Sequence, residues 1–243
     1  MMIHSTLDQL EQLRFHGMAS ALRDQLAQPD VDRLSFTDRL GLLLDREASE
    51  RDNKALKSRL RRAKLHQMAC MEDIDYQTSR GLNLSSCQWI HQHLNIIITG
   101  PTGMGKSYLA CALGHKACLE GFTVRYHRLP RLLEEFSLVR TDGRYLKFLR
   151  TLSRLDVLIL DDWGLHLVNQ SQQEDLFQLL DDRIDKKSTI ATSQLPVHHW
   201  QEMMANPTIA DAILDRLVQP AYRIELTGDS MRKRPLDSTE IVQ

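Results

Sequence analysis

The run Gly100-Pro101-Thr102-Gly103-Met104-Gly105-Lys106-Ser107 satisfies the pattern G-x-x-x-x-G-K-[ST] in full. Small residues at these places let the backbone curl until several N–H groups point at one phosphate cluster. A helix opening beside them presents its positive dipole end to the same anion. Lys106 is then placed to reach β- and γ-phosphate oxygens, and the Ser107 hydroxyl to take one position around Mg²⁺. The flanks fit: Leu94–Thr99 reads as a buried strand and Tyr108 to Leu119 as a helix, which argues against a chance glycine turn. The expected ligand is ATP with Mg²⁺, cradled by Gly100, Pro101, Thr102, Gly103, Met104, Gly105, Lys106, Ser107 and Tyr108.

Chemistry on a bound triphosphate needs a second, acidic site, and Val157-Leu158-Ile159-Leu160-Asp161-Asp162 supplies it. Four apolar residues carry two carboxylates to the carboxyl edge of a sheet, where ligands of open α/β sheets bind. Asp161 is the candidate to hold Mg²⁺ through its water shell, and Asp162 to orient or polarise the attacking water. Taken alone, the two acids also fit an ordinary strand-end turn. Ser193 and Gln194 follow the strand Thr189–Thr192 and are expected to emerge between these two sites, where Gln194 is placed to sense the γ-phosphate or the water, although a polar strand end before Pro196 also makes a plain turn. Arg216 sits in the amphipathic stretch Ala212–Leu217. It can enter a neighbouring subunit's ATP site and stabilise transition-state charge, or pair locally with Asp215 or Asp211. Near the carboxyl end, Arg232, Lys233 and Arg234 form a short basic cluster that could meet ATP, DNA or solvent.

The elements that must position these residues follow from periodicity. Ser5 with Asp8 resembles a capping box, and Leu7, Leu10, Met18, Ala21, Leu22 and Leu26 recur on one face of a first helix ending near Pro29. A second helix starts around Ser35 and Asp38 and runs toward Leu56 and Leu60. Lys54, Lys57, Arg59, Arg61, Arg62 and Lys64 then crowd together with no acid among them. That suits a phosphate backbone, or else a solvated helix face balanced elsewhere. From Met68 to about His93 the pattern breaks into a connector, which places the domain boundary near Asp75. Residues 1–74 are then a helical domain and residues 75–243 the nucleotide domain. In the second, strand-like runs at Leu94–Thr99, Phe122–Tyr126, Val157–Leu160, Thr189–Thr192 and Tyr222–Leu226 alternate with helices. Such alternation predicts an α/β fold with a mostly parallel sheet covered on both faces.

Composition narrows the remaining classes. With 42% hydrophobic and 26% charged residues over 243 positions, the chain can bury a sizeable core. A net charge of −1 means that any affinity for nucleic acid must come from local basic patches. No run is long and apolar enough for a membrane helix, and Met1–His4 does not open a signal peptide, so a cytoplasmic protein is expected. Cys70, Cys87, Cys111 and Cys118 fall into no zinc-ligand spacing, and His91 with His93 and His198 with His199 lack matched partners.

Together the loop Gly100–Ser107, the Asp161-Asp162 pair, the Ser193-Gln194 strand end and Leu214-Asp215-Arg216-Leu217 resemble the IstB-like transposition helper ATPases of the AAA+ superfamily. Arg125-Tyr126-His127-Arg128-Leu129-Pro130 and Asp161-Asp162-Trp163-Gly164-Leu165 add to the likeness and discriminate better than the loop. DnaC-like helicase loaders show a similar order. The resemblance implies a small all-helical N-terminal domain before a three-layer P-loop AAA+ core, and an ATP-dependent oligomer, ring or filament. Such an oligomer would bind and bend duplex DNA and recruit a transposase. It makes Arg216 the arginine finger, Gln194 or Ser193 the first sensor, and Arg232 a weaker candidate for a second. Many AAA+ proteins carry Asp-Glu where this chain has Asp161-Asp162. A side chain shorter by one methylene implies slow hydrolysis, since misplacement by ~1 Å can cost ~100-fold in rate. Little sequence follows Tyr222–Leu226, so no full C-terminal lid is expected. A replicative-helicase loader gripping its partner through the N-terminal helices remains the alternative. A small-molecule kinase would need a substrate-binding insertion that the sequence does not display.

Overall fold

A computed structural model describes residues 2–28, 33–73 and 84–228. The cluster Arg232, Lys233 and Arg234 lies outside the described residues, as does the expected boundary at Asp75. The chain divides into two compact units, Met1–Ser58 and Arg59–Gln243.

The first unit is helical. Helix α1 (Met2–Gln12) already runs through Ser5, so Ser5 and Asp8 are helix interior and not a cap. The expected single first helix is broken at Arg14, whose backbone is left-handed (φ 63°), and α2 (His16–Ala27) restarts beyond it. The restart is explained by Glu47, on α3 (Phe36–Ala63). Its buried Oε2 accepts the backbone N–H groups of Gly17 and Met18 at 2.8 and 3.2 Å, a carboxylate at a helix N-terminus. Gly17 is required there, because a Cβ would lie 2.6 Å from the Glu47 Cα. At the start of α3 the Ser35 hydroxyl accepts the Asp38 N–H at 3.2 Å and donates to its carboxylate at 2.7 Å, a working N-cap.

The unit boundary falls inside α3, earlier than the composition shift suggested, because the last turns of that helix are tied to the sheet-bearing unit. Ala63 is fully buried, the Arg59 Nε donates to the Cys118 carbonyl at 2.9 Å, and the Arg62 carbonyl accepts from Arg125 at 2.9 Å.

Within the second unit a short helix α4 (Gln88–His91) precedes β1 (Asn95–Thr99), α5 (Lys106–Leu119) and β2 (Val124–Arg128). There follow α6 (Leu129–Thr141), α7 (Tyr145–Ser153), β3 (Val157–Trp163), α8 (Gln170–Arg183), β4 (Ser188–Ser193), α9 (Pro207–Val218) and β5 (Ala221–Glu225). All described pairings are parallel, in the order β2-β3-β4-β1-β5. Both faces are covered, which is why the central strands read as near-continuous Ile, Leu and Val. Ile97, Leu158, Leu160 and Ala191 face a core built from α6, α7, α8 and α9. On the opposite face Gly114 of α5 comes so close to the sheet that an added Cβ would meet the Ile159 side chain at 2.8 Å. Helix, sheet and helix make three layers. Among the described residues, no helix is long and apolar enough to cross a membrane.

Candidate functional site

The glycine-rich loop follows the carboxyl end of β1 and runs straight into α5, as the pattern requires. Gly100, Gly103 and Gly105 all have positive φ, at 144°, 89° and 82°. At Gly100 a side chain is also excluded sterically, since a Cβ would lie 2.3 Å from the Leu226 carbonyl oxygen. The Lys106 ammonium donates to the carbonyls of Gly100 and Pro101, each at 2.8 Å. The loop is thus already curled around the lysine that a phosphate would engage.

Next to it in space stand the two acids, although β4 lies between β1 and β3 in the sheet. Asp161 is 1% exposed, and its Oδ1 accepts the Ser107 hydroxyl at 3.0 Å. The Thr192 hydroxyl donates to the same oxygen, and the Tyr126 hydroxyl donates to Oδ2 at 2.5 Å. Burial, and then the adjacent Asp161, push the Tyr126 phenol far above its ordinary value, so it remains a donor. Asp162 occupies a left-handed backbone position (φ 64°) where β3 shifts register against β4 between Leu160 and Trp163. Its Oδ2 lies 3.4 Å from the Arg128 Nε, and its backbone N–H meets the Thr192 hydroxyl at 3.4 Å. Burial raises the Asp162 pKa, the Asp161 charge raises it further, and Arg128 opposes the shift.

Gln194 and Ser193 part company. Ser193 is buried, with its hydroxyl donating to the Trp163 carbonyl at 2.7 Å and accepting the Leu195 N–H at 3.0 Å. Gln194 is exposed and its side-chain oxygen accepts the Thr102 hydroxyl of the loop at 2.7 Å. The structure therefore brings Lys106, Ser107, Asp161, Asp162 and Gln194 to one edge of the sheet.

Arg216 is not among them. Its carbonyl, with that of Leu217, accepts the side-chain amide of Asn95, the residue that opens β1. Since β1 carries the loop at its other end, roughly 13 Å of strand separates the two edges. The Arg216 guanidinium pairs with Asp181 at 2.8 Å and sits 4.5 Å over the Phe177 ring. The local partner is therefore Asp181 of α8. Asp215 and Asp211, the partners considered from sequence, accept instead from Gln219 and Gln201.

The basic run is also sorted. Lys54 and Lys57 are exposed in the first unit, and Arg61, Arg62 and Lys64 are exposed in the second. Arg59 is half-buried with its Nε on the last turn of α5. Sequence reasoning gave no site role to Tyr126, Thr192 or Arg128. The alternation of β2 carried a signal for two of them, since Tyr126 and Arg128 share a face of a strand paired with β3.

These donors suit a magnesium nucleotide. A hydroxyl and an ionisable carboxylate stand 3.0 Å apart beside a curled loop and a lysine, the oxygen-rich, partly open arrangement that Mg²⁺ takes. Among the described residues, no group of three or more His, Cys, Asp or Glu forms a separate metal cluster.

Comparison with known proteins gives the chain's family. The family model for IstB-like ATP binding proteins matches residues 8–238. A Sinorhizobium fredii protein described as an insertion sequence ATP-binding protein is 49% identical over 96% of this chain and 98% of its own length. A Pseudomonas fluorescens protein of similar description, from insertion sequence IS1162, is 48% identical over 81% of this chain and 88% of its own. Among solved structures, that of DnaI superposes with a TM-score of 0.57 at 19% identity, covering 67% of this chain and 89% of that one. The last likeness is one of fold.

Proposed function

The chain belongs to the family of IstB-like ATP-binding proteins, and from that premise we propose that it is an ATP-dependent, DNA-binding oligomeric ATPase of the AAA+ type that assists DNA transposition. It binds or remodels duplex target DNA and recruits or stimulates a transposase, in the cytoplasm. The insertion-sequence descriptions of its relatives support that setting.

The observation that carries the reading is the separation of the site's parts. Lys106, Ser107 and Asp161 gather at one sheet edge, while Arg216 is held at the opposite edge, out of reach of its own subunit's loop. An arginine so placed can complete only another subunit's site. Loop-to-arginine contact of this kind is heterologous and builds rings or open filaments. Within one subunit, Lys106 engages the β- and γ-phosphates, Ser107 and Asp161 hold Mg²⁺, Asp162 orients water, and Gln194 senses the γ-phosphate. The metal supplies charge neutralisation on the phosphates when bound. Asp162 sits on a left-handed backbone and is paired with Arg128, which supports slow hydrolysis acting as a timer on assembly.

DNA contact falls to Lys54, Lys57, Arg61, Arg62 and Lys64, with Arg59 the weakest member because its Nε is already engaged. The test is duplex affinity across a salt titration, with and without ATP. ATP is expected to tighten binding, and the salt slope to fall when Arg61 and Arg62 are replaced by alanine. An affinity that ignores nucleotide at every salt concentration refutes the coupling.

A further inference from the structure

The segment Arg125-Tyr126-His127-Arg128 forms most of the edge strand β2, yet neither the loop nor the acid pair accounts for it. Strand alternation sends Tyr126 and Arg128 to one face, and register pairs Arg128 with Asp161 on β3. The Tyr126 hydroxyl, in a side chain buried but for a few per cent, donates to Asp161 Oδ2 at 2.5 Å.

The two oxygens of Asp161 are consequently divided between two sides of the site. Oδ1 faces the loop and takes Ser107 and Thr192, whereas Oδ2 is held by the phenol. The terminal torsion of an aspartate is broad and nearly two-fold, so nothing intrinsic to the side chain fixes which oxygen meets Ser107. Donors on both oxygens fix it.

We propose that Tyr126 is a positioning residue whose hydroxyl locks the rotation of the Asp161 carboxylate, and so sets the metal-dependent part of nucleotide affinity. The inference rests on reading Ser107 and Asp161 as the magnesium–nucleotide site. The ring has its own anchorage, stacked on His66 at 5.8 Å with 13° between planes, so the hydroxyl is separable from the packing. Partners that orient metal ligands from behind are commonly worth about 10–100-fold in metal affinity.

The test is calorimetric titration with ADP, in Mg²⁺ and in EDTA, of native protein and Tyr126→Phe. Native protein is expected to bind ADP more tightly in Mg²⁺. The variant should keep its EDTA affinity within about twofold and lose about tenfold of the Mg²⁺ gain. In an Asp161→Asn background the same replacement should change nothing further, because the hydroxyl acts through that carboxylate. An unchanged Mg²⁺ gain, or a parallel loss in both buffers, overturns the proposal. If the native protein shows no Mg²⁺ gain, the metal-site reading itself fails and the proposal falls with it. Should Tyr126→Phe not fold, 3-fluorotyrosine placed at position 126 keeps the native fold. Its fluorine resonance should move when Mg²⁺ is added to the ADP complex and stay put when ADP is added in EDTA. A resonance indifferent to Mg²⁺ also overturns the proposal.

Discussion

Replacing Arg216 by alanine separates a local role for this residue from one in a neighbour's ATP site, because the two predict different sizes of effect. Locally, the arginine makes a 2.8 Å pair with Asp181, whose side chain is 51% exposed, and lies 4.5 Å over Phe177. A pair that wet contributes about 0.2–1 kcal/mol, and a partly exposed cation–π contact about 0.5–1 kcal/mol. Arg216→Ala should therefore lower stability by about 1–2 kcal/mol, a fall in melting midpoint of roughly 2–8 °C for a chain of this size. The protein stays folded at assay temperature. If the same guanidinium stabilises the transition state next door, turnover should fall by about 10³-fold or more, with ATP binding retained. Asp181→Ala is the control, since it removes the local pair and leaves the arginine. It should cost a similar few degrees while turnover stays within about twofold of native. The assay is steady-state phosphate release at saturating ATP with duplex DNA, beside thermal melts of all three proteins. If Arg216→Ala and Asp181→Ala lose turnover alike, in step with their melting midpoints, the arginine is a local brace and the shared site is refuted.

Asp162, Arg128 and His127 give three further outcomes. Asp162→Asn keeps a residue type that tolerates a left-handed backbone and should bind ATP normally, while turnover falls by about 10²–10⁴-fold if Asp162 acts on the water. Because burial and Asp161 raise the Asp162 pKa, its acid limb in a pH–rate profile should lie above that of an ordinary aspartate. Arg128→Ala should push the limb higher still, since it removes the opposing cation; a limb that does not move shows that another group controls the rate. His127 is held neutral by burial, with Arg125 and then Lys64 adding to the effect, and its pKa falls from 6.5 to about 4. The unfolded chain takes up that proton first. Stability is therefore intact above about pH 6.5 and lost as pH falls toward 4, by roughly 3 kcal/mol at most. His127→Gln should flatten the pH dependence of urea midpoints across that window; an unchanged slope assigns the acid sensitivity elsewhere.

Much of this site was legible in sequence because phosphate binding constrains the backbone itself. Only glycine takes the Gly100 position without a clash against Leu226, so the chemistry leaves a fixed pattern of letters. The strands were legible for a different reason: burial on both faces gives β1 and β3 their near-continuous apolar runs, and all five expected strands appear with ends shifted by a few residues at most. The full strand order was not, since it depends on which apolar surfaces meet; the place of β4 is the exception, because its polar end was expected between the loop and the acid pair, where it lies. Nor was the break legible at Arg14, where the apolar stripe continues but Glu47 from a distant helix captures the next N-terminus. Tyr126, Thr192 and Asp181 share this obscurity. Each is an ordinary residue on its own element and acquires a role through a neighbour far away in sequence.

One subunit's loop and another's arginine are proposed to make a single ATP site. Mixing Lys106→Ala protein with Arg216→Ala protein on duplex DNA tests it directly. Each variant alone should be nearly inactive. In an equal mixture, random neighbours would pair an intact loop with an intact arginine at about a quarter of sites, so about a quarter of native turnover should return. A mixture as inactive as its parts would contradict the shared site.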